Sequence, residues 1–132
     1  MEAKELAYKV SESIFNKKGF DVIILDLRKL TPIADFFVIC SADSDTQVKA
    51  IADEVERNLK ELGSRTWHRE GFKSLNWVLL DYVDVVVHIF KKEIREYYNL
   101  ERLWGDAPID EIEDPAVAAA KTKRKNVSSN KS

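Results

Sequence analysis

A chain of 132 residues, 45% hydrophobic and 33% charged, is long enough for one folded domain with its own core. Its net charge of −2 argues against a domain held on nucleic acid by bulk attraction, which ordinarily takes a basic excess, and makes a protein partner the better expectation. A lone Cys40 excludes an internal disulfide framework, and no apolar run approaches the roughly 18 residues needed to cross a bilayer.

The charged start, Met1-Glu-Ala-Lys-Glu-Leu6, has no apolar signal region, so a cytoplasmic protein with no membrane partner is expected. Residues 2–18 put Leu6, Val10 and Ile14 on one helical stripe with Ala3, Ala7 and Phe15, and Gly19 is a natural stop. Asp21 to Leu27 is apolar on both sides, the mark of a strand covered on both faces. Thr31-Pro32 breaks the chain, and Asp35 to Ser41 repeats the strand pattern. Ser44 or Asp45 then caps a long amphipathic helix carrying Val48, Ile51, Ala52, Val55 and Leu59, which runs to about Leu62 and ends at Gly63. Arg65 to Arg69 alternates like an exposed edge strand, and residues 70–74 lead as a loop into the next run.

Asn76 to Phe90 consists of two β-branched, apolar stretches meeting at Asp81-Tyr82-Val83-Asp84, a β-hairpin. With a two-residue Tyr82-Val83 loop the opposed pairs are Leu80–Val85, Leu79–Val86, Val78–Val87 and Trp77–His88. Alternation then collects Val78, Leu80, Val85, Val87 and Ile89 on one face. The other face holds Trp77, Leu79, Asp81, Asp84, Val86, His88 and Phe90. The first suits contact with the chain's own helices; the second, with indole, imidazole and carboxylate together, suits a binding surface or a satisfied polar corner. Glu93 to Trp104 makes a third, shorter helix or a pair of turns, with Leu100, Leu103 and Trp104 as its apolar side.

After it the composition changes. Residues 106–114 contain five acidic and no basic residues, and residues 115–132 five basic and no acidic ones. Both read as mobile, which sets a folded domain at 1–106 and a tail at 107–132. Lys121, Lys123, Arg124 and Lys125 read as a solvated end, with weak contact to RNA phosphates as the alternative.

The element order α-β-β-α-β-β-β-α gives a single α/β domain with a mixed sheet of about five strands and helices mainly on one face, an order compatible with nucleotidyltransferases. Two long helices cover one face, so the other is expected to keep an uncovered apolar area bearing Trp77 and His88. Such a patch marks a protein interface, with a homodimer through the same area as a subsidiary possibility.

Several residues could carry chemistry. Asp43 and Asp45 follow a strand and precede a helix, as do the metal-holding acids of nucleotidyltransferases, but they also sit where a helix needs its cap, and no Gly-Ser or Gly-Gly turn stands upstream. Asp81 and Asp84 flank a turn, where Asp serves local backbone hydrogen bonds. His68, His88 and Cys40 match no compact metal spacing, and four glycines form no phosphate loop, so no metal or cofactor is expected. His88 divides between a packed, hydrogen-bonded sheet residue and part of a partner surface. Among Trp67, Trp77 and Trp104, Trp77 is the preferred interface anchor, since indole combines large apolar area with a single donor.

Glu70-Gly71, Trp77-Val-Leu-Leu-Asp81-Tyr82, Asp84-Val-Val-Val-His88-Ile-Phe90, Arg95, Tyr97-Tyr98-Asn-Leu100-Glu101 and Leu103-Trp104, in that order, resemble the Iojap family of ribosomal silencing factors. The resemblance reaches upstream through Asp26, Ala34-Asp35-Phe36-Phe37-Val38-Ile39 and Gln47-Val48-Lys-Ala50-Ile51-Ala52, covering roughly residues 2 to 106. One departure is that the family usually carries Gly where Val83 stands. The resemblance implies a protein that binds ribosomal protein fourteen of the large subunit, on the face that meets the small subunit, and represses translation by steric occlusion, with no catalytic residue. Carried onto this chain, the partner-binding surface is the hairpin face of Trp77, Leu79, Asp81, Tyr82, Val86 and His88, with Phe36 from the neighbouring strand and Glu70 and Lys73 at the rim. Acidic groups there would complement a basic ribosomal protein. The alternative is a metal-dependent nucleotidyltransferase-like enzyme using Asp43 and Asp45.

Overall fold

The computed structural model describes residues 1–120. Helix α1 (Ala3–Asn16) is followed by strands β1 (Phe20–Asp26) and β2 (Phe36–Ala42), then by helix α2 (Asp45–Glu61). Strands β3 (His68–Glu70), β4 (Trp77–Asp81) and β5 (Val85–Lys91) come next, then short helices α3 (Lys92–Tyr98) and α4 (Leu100–Leu103), and finally strand β6 (Ile109–Ile112). One mixed sheet runs β3-β4-β5-β2-β1-β6, with β2 and β5 parallel and every other pair antiparallel.

The long helices form where periodicity places them. Ser44 caps α2 by accepting from the Gln47 backbone N–H, and the buried stripe of α2 includes Val48, Ile51, Ala52, Val55 and Leu59. Together with α1 this stripe covers Val22, Ile24, Val38, Cys40, Val78, Leu80, Val87 and Ile89 on one face of the sheet. Between the helices lies one buried carboxylate, Glu54, which accepts from Asn16 and Arg57; these donors hold it ionised below the usual carboxylate range.

The sheet has six strands where five are expected. The sixth comes from the acidic stretch read as mobile: Ile109 to Ile112 pairs with Leu25 to Val22 of β1. The alternating signal is missing because the two isoleucines are three residues apart, and so they point to opposite faces, Ile112 packing on the helix-side core. Backbone pairing to the open edge of β1 makes the strand, aided by Tyr8, whose hydroxyl donates to Asp110 at 2.8 Å. The ordered fold therefore reaches past residue 106. The basic run Lys121 to Lys125 lies outside the described residues.

The second face is also more closed than expected. Leu27, Ala34, Leu100 and Ala107 form a second core with Ile23, Leu25, Phe37, Ile39, Val86 and Phe90, and Ile94 and Trp104 pack against it. Residues 93–104 do not form one helix, because Asn99 turns left-handed at φ 44° and its side chain accepts from the Arg102 N–H. The break sends Leu100 inward and leaves Leu103 72% exposed. Arg95 fastens this cover to the sheet, donating to the Asp21 carbonyl, to Ser41 Oγ and to Glu101.

Candidate functional site

The β4–β5 hairpin keeps the two faces expected of it, but its register differs by two. Trp77 lies opposite Phe90, Leu79 opposite His88 and Asp81 opposite Val86. The cause is a three-residue connection, Tyr82-Val83-Asp84, with Val83 at φ 74°. The Asp84 N–H donates to the Tyr82 carbonyl at 3.0 Å and the Tyr82 N–H to the Val85 carbonyl at 2.8 Å. Asp81 completes the turn, its carboxylate accepting from the Val83 N–H at 2.7 Å. Because the shift is even, no side chain changes face.

On the second face the chain builds an aromatic stack around Trp77. The half-buried indole lies on Phe90 at 4.8 Å between ring centres and meets Tyr98, tilted against it, also at 4.8 Å, while Phe90 and Tyr98 are themselves 6.4 Å apart. Its Nε1–H donates to His88 Nδ1 at 3.1 Å. His88 is buried, 4% exposed, with Phe37 edge-on to its ring at 4.5 Å. Burial pushes its pKa down to about 3, so the imidazole is neutral. Leu79, half-buried, continues the surface beyond Trp77, while Tyr98, Tyr97 and Leu103 are 50%, 80% and 72% exposed.

Of the residues the sequence nominates, Trp77, Leu79 and Asp81 stand together on the accessible part of this face. Val86 and His88 lie beneath them, buried. Glu70 and Lys73 are exposed beside β4, the Glu70 carboxylate bonded to His68 Nε2 at 2.8 Å. Two assignments are corrected. Phe36 is in the helix-side core, and its neighbour Phe37 is the ring that meets His88; alternation within β2 separates them, and an all-apolar strand hides which is which. Tyr82 also turns to the helix side, leaving the surface to Trp77.

Three contributors were not nominated. Tyr97 and Tyr98 become surface because the third helix stops at Asn99. Gly71 has φ 90°, and a Cβ there would fall on the Trp77 carbonyl oxygen, so glycine is what lets the preceding loop run against β4. The Glu70-Gly71 pair is the only sequence signal of that approach.

Asp43 and Asp45 are engaged locally. Asp43 pairs with Lys92 at 3.2 Å and Asp45 with Lys91 at 2.8 Å, while Ser44 between them caps α2. Among the described residues no group of three or more His, Cys, Asp or Glu is placed to hold a metal, and no helix is long and apolar enough to cross a membrane. Cys40 is buried within β2, its thiol pushed up to about 12 by desolvation. The 120 described residues carry 16 basic and 23 acidic side chains, a net −7 that the five cations of residues 121–132 reduce to −2.

A family model described as "Ribosomal silencing factor during starvation" matches residues 1–132. The chain is 44% identical over 113 residues to the ribosomal silencing factor RsfS of Halalkalibacterium halodurans, covering 86% of this chain and 97% of that protein. It is 42% identical over 113 residues to RsfS of Bacillus subtilis, covering 86% and 96%. A crystal structure of a protein from Chromobacterium violaceum superposes with a TM-score of 0.78 at 42% identity, over 80% of this chain and 88% of that one.

Proposed function

Because the chain belongs to the family of ribosomal silencing factors acting during starvation, we propose that it represses translation by docking on the large ribosomal subunit and blocking its union with the small one. The docking partner is ribosomal protein fourteen of the large subunit, and the contact surface is the exposed part of the second sheet face. The observation that carries this reading is the half-buried Trp77, held by Phe90 and Tyr98 and continued by Leu79 and Tyr97. A large aromatic seated in a preformed site, ringed by partly exposed apolar groups, is the anatomy of an interface anchor. The carboxylates beside Trp77, Asp81 on β4 and Glu70 on β3, suit encounter with a basic ribosomal protein.

Occlusion needs no chemistry. A bound domain that fills the joining face excludes the small subunit by its bulk, so affinity and position are the only properties required. The test is co-sedimentation with purified large and small subunits, alongside a subunit-joining assay, comparing the wild type with Trp77→Ala. The expected result is binding to the large subunit alone, inhibition of joining, and loss of about 2 kcal/mol or more of binding energy in the folded variant. Wild-type protein that ignores the large subunit, or joins it without hindering the small one, would falsify this mechanism.

A further inference from the structure

His88 is almost wholly enclosed, yet it is not arranged as a core residue would be. Its Nδ1 accepts the Trp77 indole N–H at 3.1 Å, which leaves the proton of the neutral ring on Nε2. Nε2 is buried and has no hydrogen-bond partner among the described residues. On packing alone a leucine or phenylalanine would fill this site without an orphaned donor. What histidine adds is the acceptor on Trp77.

We propose that His88 is a positioning residue that locks the Trp77 indole from within the core, so that the surface presents an aromatic ring whose only donor is already satisfied. This rests on the reading of Trp77 as the docking anchor. Three contacts then restrain one ring: Phe90 stacked on it, Tyr98 tilted against it and His88 at the N–H. A partner that covers Trp77 meets a rigid apolar surface and has no indole donor to desolvate or match. Without the acceptor, the N–H must be buried unpaired in the complex or the ring must rotate to find water. Either outcome weakens docking by about tenfold without removing a contact atom from the surface.

The test uses the full chain with His88→Leu, which removes the acceptor, and His88→Asn, whose amide oxygen replaces Nδ1. The first readout is the indole N–H resonance of Trp77, identified by its loss in Trp77→Ala; the second is affinity for the large subunit. In wild type and His88→Asn the resonance should lie at a hydrogen-bonded position with affinity retained. In His88→Leu it should move to the position of an unbonded indole, with binding about tenfold weaker. A resonance or affinity that His88→Leu leaves in place, while Trp77→Ala abolishes binding, overturns the positioning role and returns His88 to core filling. If His88→Leu fails to fold, the wild-type resonance decides, since an unbonded position there overturns the role directly. Undiminished binding by Trp77→Ala overturns the anchor reading and the positioning role with it, whatever the resonance shows.

Discussion

Val83 occupies the one turn in the hairpin where the chain carries a β-branched residue at positive φ, 74°. Replacing it with glycine should stabilise the fold. A residue of this shape in that region costs about 1–3 kcal/mol, which glycine does not incur. Glycine gives up about 0.5–1 kcal/mol more chain entropy on folding. Val83 is 57% exposed, so little burial is lost with its side chain. The balance is about 1 kcal/mol in favour of Val83→Gly, and with an unfolding entropy of about 2 cal/mol/K per residue that raises Tm by about 3–4 °C. Thermal unfolding followed by circular dichroism measures it. Asp81→Ala, which removes the acceptor for the Val83 N–H, should move Tm the other way, by about 1 kcal/mol of stability. A Tm for Val83→Gly at or below the wild-type value would refute the strain and the turn geometry behind it.

Two further outcomes follow from the site. His88 has its folded pKa lowered to about 3, against about 6.5 when unfolded, so below pH 6.5 the unfolded state binds the extra proton and stability falls with falling pH. Between pH 7 and 5, above the range in which carboxylates protonate, the loss should steepen to about 1.4 kcal/mol per pH unit; urea titrations should show it in wild type and not in His88→Asn. Gly71→Ala should be more damaging than a loop substitution ordinarily is. The added Cβ meets the Trp77 backbone, which cannot yield as a flexible side chain would, and the residue is held at φ 90°. A loss of about 2 kcal/mol or more is expected in denaturant unfolding, together with weakened docking on the large subunit.

The parts of this fold that were legible are those where one physical signal dominates. Helix α2 could be read from Ser44 to its end because a cap, an apolar stripe and Gly63 agree. The hairpin faces were legible because alternation survives an even shift of register, while the register itself was not, because it depends on a three-residue turn that Val83 disguises. Phe36 and Phe37 show the limit of periodicity in a strand apolar on both sides: either could have faced Trp77, and only the pairing of β2 with β5 decides for Phe37. His88 could be paired with Trp77 by neighbourhood, but its burial could not, since the cover is assembled from Ile94, Leu100, Trp104 and Ala107 far along the chain. Tyr97 and Tyr98 reach the surface through a single left-handed residue, Asn99, a break that helical periodicity does not announce.

Strand β6 has a bearing on solubility. Without it β1 would stand at the margin of the sheet with Val22, Ile23, Ile24 and Leu25 offering an unpaired backbone edge and no charge along that run. Such an edge is a template on which another molecule can add a strand. Placing Ile-Asp-Glu-Ile there substitutes a margin whose two central residues are anionic, one of them clasped by Tyr8. A chain shortened after Asp106 would keep the Trp77 surface, but it would lose Ala107 from one core and Ile112 from the edge of the other, and it would expose the strand that β6 sheathes. The acidic strand thus closes this end of the sheet with charge where β1 alone would offer an apolar edge to a second copy.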